Sequence, residues 1–425
     1  MKLRHTFLAL TLGLSVNAQH STVQQQPHWV ATWTASPAPP MATEAEMRAA
    51  KLLFQNQTLR MFAHTSIGGG KVRVRLSNVF GKESLQIDEA HVALRDKSPN
   101  ITKNTDSVLT FSGRKAISIP PNAVLISDPV TMKVPADGDL AISIYLKEPT
   151  AAAGIHYAAN ATSFVGEANQ AGSASFIQTT TVASWAFLSG IDVAAPAAAS
   201  TIVAFGDSIT DGSRSTPDAN RRWPNILAQR LRKAGYSNLA VIDAGIGGNR
   251  ILHDPGTAAN MRFGVNALAR FDRDVLAQPG AKYVIILEGI NDIGHPGSQS
   301  ASPSEAVTAE DVIAGLQQLA GRAHEMGLQV IGATLTPFAG CPFPGYYSRE
   351  KDAVRAAVNQ WVRTTDIYDG YIDFDKAMRD PANPDQMLAA YDGGDHLHPG
   401  DAGYKAMAEA INLKIFRAAK KSSKK

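Results

Sequence analysis

Four short blocks in the second half of the chain hold the residue types that acyl transfer through a serine requires. In Phe205-Gly206-Asp207-Ser208-Ile209-Thr210-Asp211-Gly212 a serine follows a glycine at the end of an apolar run. A tight turn there can present the hydroxyl above a sheet. In Asp243-Ala244-Gly245-Ile246-Gly247-Gly248-Asn249-Arg250 closely spaced glycines let the backbone approach a ligand and aim an N–H at a developing negative oxygen. In Leu287-Glu288-Gly289-Ile290-Asn291-Asp292 an asparagine amide offers a neutral donor, which can be buried beside an oxyanion more cheaply than a charge. Asp392-Gly393-Gly394-Asp395-His396-Leu397-His398-Pro399 sets Asp395 and His398 three residues apart. The carboxylate can then accept from one ring nitrogen while the other faces the serine.

Each block also has a plainer reading. Gly-Asp-Ser is an ordinary turn and helix cap, glycine clusters make turns, and a turn asparagine often bonds its own backbone. Two His and two Asp within seven residues could also ligate Zn²⁺ or Ca²⁺, although no second His or carboxylate cluster with suitable spacing follows a strand elsewhere. His396 reads as a surface or packing neighbour.

A shared site requires elements that bring these blocks to one edge. Thr201 to Phe205, Leu239 to Asp243, Tyr283 to Leu287, Gln329 to Leu335 and Gly370 to Phe374 are apolar runs without alternation, as expected for strands buried on both faces. Helical stretches fall between them at Arg222 to Ala234, Val265 to Leu276, Thr308 to Met326 and Arg349 to Thr364, with a last one over Asp401 to Arg417. In the third, Val312, Leu316, Leu319 and Ala323 make one apolar face. Strand alternating with helix predicts an α/β fold, a doubly wound parallel sheet of about five strands whose ligands sit beyond the carboxyl ends. Three of the blocks follow predicted strands, and the fourth precedes the last helix.

The first half has another grammar. Lys71-Val72-Arg73-Val74-Arg75-Leu76 alternates strictly, Leu140 to Leu146 nearly so, and shorter runs surround Leu59, Val92, Val108, Ile117 and Val134. Turn residues separate them, which predicts a β-sandwich or jelly roll over 27–192. Small residues and a proline between Ile191 and Ser200 suggest a linker or seam, with a second domain over 200–418.

The chain has 425 residues, 44% apolar and 19% charged, which fits two folded domains. Lys2, Arg4 and His5, the apolar run Phe7 to Val16 and Val16-Asn17-Ala18 read as a signal peptide (1–18) cut after Ala18, and hence a secreted or periplasmic protein. No later stretch approaches the ~20 apolar residues that span a bilayer. The formal charge of +3 includes Lys2, Arg4 and tail lysines 420, 421, 424 and 425; without these six the body is near −3, and 419–425 is a basic solvated tail. That argues against nucleic acid as a partner. Cys341 is the only cysteine, so no intramolecular disulfide is possible, and it lacks a basic neighbour in sequence that would activate it. Asn56, Asn100 and Asn160 stand in glycosylation sequons.

Taken in order, the four blocks resemble the SGNH or GDSL hydrolases over roughly 200 to 415, with Ile209 where the family name has Leu. The resemblance implies a three-layer α/β/α, flavodoxin-like sheet and a serine esterase working through an acyl-enzyme. It implies Ser208 as nucleophile, His398 as base and Asp395 as its orienting acid, with the Ser208 N–H, the Gly248 N–H and the Asn291 side chain as oxyanion donors. Gly248 is favoured over Gly247 because the family's glycine directly precedes a polar residue. No cofactor and no metal are expected, since these residues supply the whole reaction. Trp29 to Ala35 and Val72 to Asn78 also look like the β-rich domain of secreted xylan-esterase-like proteins. The expected substrate is therefore an acetylated polysaccharide or oligosaccharide such as acetylated xylan. A broad short-chain carboxylesterase or a lipase is the alternative, with Thr336 to Tyr347 as an aromatic wall to an acyl pocket. From another class, an inactive carbohydrate-binding protein remains open, and oligomeric state is not legible.

Overall fold

The computed structural model describes residues 27–416, so the expected signal peptide and basic tail lie outside it. From Ser200 onward, five strands form one parallel sheet: Ser200–Gly206, Leu239–Gly245, Ala281–Leu287, Gln329–Ala333 and Gly370–Ile372, in spatial order second, first, third, fourth, fifth. Ile202, Val203, Ala204 and Phe205 are fully buried, because helices cover both faces; hence the unbroken apolar runs. The helix Ala309–Glu325 starts at a capping box between Thr308 and Asp311 and buries Val312, Leu316, Leu319 and Ala323. Each large side chain so buried contributes about 1.5–3 kcal/mol.

Three expected elements differ. The helix expected over 265–276 is a short α-helical stretch, Ala267–Phe271, that widens into a π turn, Asp272–Leu276, where Arg270 and Asp274 are buried as an ion pair. The last helix ends at Ala410 instead of Arg417. Ile411 turns extended, and the 3-10 turn Leu413–Phe416 tucks Phe416 edge-on against Tyr283, whose hydroxyl donates to the Phe416 carbonyl at 2.8 Å. The fifth strand stops at Ile372 because Asp373 caps the helix Phe374–Met378.

Residues before Ser200 form two larger antiparallel sheets around one core. One sheet runs Trp29–Thr34, Leu188–Ala194, Gly69–Ser77, Val130–Val134, with Val124–Ile126 also on Gly69–Ser77. The other runs Thr180–Val182, Ser163–Glu167, Gln57–Thr65, Gly138–Leu146, Glu89–Leu94, Ser107–Val108. Val72, Val74 and Leu76 of the first meet Leu140, Ile142 and Ile144 of the second in that core, which is why both segments alternate. The seam expected over 191–200 is narrower: Leu188–Ala194 is an interior strand, and only 195–199 connects it to the parallel sheet. A short helix, Glu44–Ala49, was not legible, being a single capped turn and a half.

The two halves are stitched together. Ala31 N–H donates to the Pro279 carbonyl at 2.9 Å, and Thr201 Oγ1 lies 3.1 Å from the Ala31 carbonyl. Val241 N–H donates to Ser66 Oγ, Thr34 Oγ1 to the Asp243 carbonyl, and Arg75 to Gln278. Among the described residues no helix is long and apolar enough to cross a membrane.

Candidate active site

Ser208 opens a four-residue helix, Ser208–Asp211, directly after the first parallel strand. So short a helix is not stable alone. Asp207 caps it by accepting from Ile209 N–H at 2.8 Å, and Gly212, at φ 87°, closes it in the left-handed region. Gly206 cannot be larger, since a Cβ there would lie 2.2 Å from Thr210 Oγ1.

The strand ends bring three of the blocks together, and the loop before the last helix adds the fourth. Ser208 Oγ lies 2.8 Å from His398 Nε2, and His398 Nδ1 lies 2.9 Å from Asp395 Oδ2. With Nδ1 protonated and donating to the carboxylate, Nε2 is left to accept the serine proton. The other Asp395 oxygen accepts the His398 backbone N–H at 2.8 Å, so carboxylate and imidazole are locked as a unit. Asp392 organises the turn by accepting from the backbone of Gly394, Asp395 and His396. His396 pairs with Asp392 and stays half exposed. Burial tends to raise the Asp395 carboxyl, but bonds and charge from His398 and a bond from Arg214 prevail and hold it well below the usual carboxylate range.

Gly247 and Gly248 follow the second strand. Gly248 sits at φ 79°, where a Cβ would also lie 2.2 Å from the Phe263 ring. Asn249 N–H closes a turn on the Ile246 carbonyl, whereas the N–H groups of Ser208, Gly247 and Gly248 have no protein acceptor among the described residues. Asn291 lies on the helix Ile290–Gly294 after the third strand, and its Nδ2 donates to the Asn249 carbonyl at 2.9 Å. Ser208, Gly247, Gly248, Asn291 and His398 all line one cavity of about 490 Å³.

Several residues that position this site carried no sequence signal. Arg270 is fully buried and donates to Asn249 Oδ1 and to the carbonyls of Ala244 and Gly206, joining two strand ends to the glycine loop; it also pairs with Glu288 and Asp274. Asp292 accepts from the N–H groups of Ile251 and Leu252, fixing the chain beyond that loop. Arg214 donates to Asp395 Oδ2 at 2.9 Å. His156, from the first half of the chain, reaches Asp211 on the serine's own helix at 2.9 Å while its Nδ1 donates to the Ser36 carbonyl. Burial opposes charge on His156, but Asp211 outweighs it and raises its pKa. A histidine or arginine 18 to 181 positions from its partner leaves no local pattern; only the fold pairs them.

The cavity lies between the two halves. Ser36, Ala38, Ile155, His156 and Tyr157 form one wall. Arg262, Phe263, His295, Gln299, Phe343 and Tyr346 form the other. The aromatic segment expected over 336–347 supplies the last two.

No curated protein matches the chain. Solved structures similar to it include the aryl esterase of M. smegmatis (19% identity, 50% of this chain and 96% of that one, TM-score 0.38). The acetyl xylan esterase AlAXEase is similar at 19% identity, over 49% and 96%, with a TM-score of 0.37. A mutant acetyl-xylooligosaccharide esterase from Geobacillus stearmophilus is similar at 21% identity, over 51% and 94%, with a TM-score of 0.39. Residues 204–406 match the GDSL-like Lipase/Acylhydrolase family, within which all four blocks fall. This part of the chain belongs to the GDSL-like lipase/acylhydrolase family, and the protein is a carboxylic ester hydrolase.

Proposed function

We propose that the protein is a secreted serine esterase that removes small acyl groups, acetyl above all, from a polysaccharide or oligosaccharide. Ser208 Oγ attacks the ester carbonyl while His398 Nε2 takes its proton, and Asp395 stabilises the imidazolium. The carbonyl oxygen, now negative, is met by the N–H groups of Ser208 and Gly248 and by Asn291 Nδ2. Collapse of this intermediate breaks the carbon–oxygen bond to the alcohol, which leaves with the proton from His398. Water repeats the sequence on the acyl-serine and releases the acid.

The observation that carries this reading is the unbroken chain of contacts Ser208–His398–Asp395, at 2.8 and 2.9 Å, at the wall of a cavity that Gly248 and Asn291 also line. The glycan reading rests on the cavity: aromatic faces at Phe263 and Phe343 beside polar Ser298, Gln299 and Ser300 suit a sugar ring, which has apolar faces and a hydroxyl edge. Residues 27–192 are read as a β-sandwich accessory domain whose Ser36, Ala38 and Tyr157 complete the substrate cleft. The signal-like N-terminus supports export, and an acylated glycan outside the cytoplasm is the matching substrate.

The test is acetate release from acetylated xylan beside hydrolysis of p-nitrophenyl acetate, with Ser208→Ala as control. Turnover of both, abolished in the variant, is expected. Cleavage of the small ester alone removes the glycan claim, and equal turnover in Ser208→Ala removes the nucleophile. Asn291→Ala should cost about 10²- to 10³-fold in kcat with the fold retained.

A further inference from the structure

Asn291 has two amide hydrogens and one oxygen, and the site works only if an N–H, not the oxygen, is offered to the cavity. One N–H donates to the Asn249 carbonyl, a group that can only accept. The oxygen, Oδ1, lies 2.7 Å from the hydroxyl of Tyr346, which is 3% exposed. Burial pushes the Tyr346 phenol well above its ordinary pKa, so it stays protonated and donates. Among the described residues, the two bonds leave the second Nδ2–H without a protein acceptor, at the cavity that Asn291 lines.

We propose that Tyr346 is a positioning residue for the oxyanion donor, its hydroxyl holding the Asn291 amide in the orientation that offers Nδ2–H to the cavity. This rests on the esterase reading above. The segment around it is braced for that task. A Cβ at Gly294, on Asn291's own helix, would lie 2.3 Å from the Tyr346 ring, so the glycine lets the ring dock directly on that helix. Lys351 Nζ donates to the carbonyls of Gly294, Pro296 and Gly345 at 2.8, 2.7 and 2.6 Å. It thereby ties the end of the Asn291 helix to the loop that carries Tyr346. Edge-on contacts with His295, Phe338 and Phe343 fix the ring itself. Removing the hydroxyl leaves Oδ1 buried without a donor and lets the amide rotate.

Tyr346→Phe keeps the ring and the cavity wall, so it isolates the hydroxyl. On p-nitrophenyl acetate, Tyr346→Phe should lower kcat about 10- to 100-fold with KM within about twofold. In an Asn291→Ala background the same substitution should change kcat by less than about twofold, because the donor it serves is already gone. Lys351→Met, which frees the loop, should show the same loss and the same non-additivity, and serves if Tyr346→Phe does not fold. Independent, multiplying losses in the double variants, or a Tyr346→Phe kcat within about twofold of wild type, would overturn the proposal while leaving the esterase reading intact. Wild type without ester turnover would overturn both.

Discussion

At the scale of single residues, the site depends on buried charge as much as on the groups that react. Burial raises the Asp207 carboxyl to about 7, with the Ile209 N–H and Arg270 working against it. Its folded value exceeds the unfolded one, so its contribution to stability is complete below about pH 4 and is lost as pH rises through about 7. Asp207→Asn keeps the helix cap and removes the titration. Chemical denaturation across pH 4–8 should therefore show a flatter profile in the variant, the difference reaching about 1–4 kcal/mol. The slope should not vanish, since burial also raises Asp292 to about 6 and lifts Glu288. Arg270 is the opposite case, a fully buried cation whose partners would be stranded by its loss. Arg270→Met should cost about 3–5 kcal/mol or prevent folding, read as the denaturation midpoint or the soluble yield.

At the scale of elements, the candidate site is built on loops and single-turn helices at strand ends, held by caps and glycine conformations as well as by burial. The glycine loop shows this best. At Gly248 a methyl group meets both an unfavourable φ and the Phe263 ring. Gly248→Ala should shift the loop, lowering kcat about 10²-fold or more, while destabilising the protein by only about 1–2 kcal/mol. Parallel measurement of turnover and thermal midpoint checks this, and equal sensitivity of both would point to a scaffold position. The serine's helix is similarly local, except that Asp211 is held from outside by His156. His156→Gln should lower activity and stability together, by loosening a helix that cannot hold itself.

At the scale of the whole molecule, the two halves share one cleft and a polar seam. Residues 200–416 expressed alone would expose the groups that now meet Ser66, Ala31 and Thr34, and would lack the wall built by Ser36, Ala38, Ile155, His156 and Tyr157. That fragment should be poorly soluble or, if soluble, reduced in kcat/KM by at least about tenfold. An active, monomeric fragment would show that the first half is a separable attachment.

What the sequence by itself determined was everything carried by local pattern. The five buried strands, the helix faces and the alternating strands of the first half follow from periodicity, because burial on one face or two dictates which positions are apolar. Ser208, Gly248, Asn291, Asp395 and His398 could be singled out as candidates because each stands in a block of glycines and short polar residues at a strand exit or before the last helix. Helix ends were less so: the last helix stops at Ala410 because Phe416 must reach Tyr283, a demand its own composition does not express. Only the tertiary structure decided which distant residues serve the site. Arg270, Arg214, His156 and Tyr346 act through partners 18 to 181 positions away, where chain geometry, not local propensity, sets the contact.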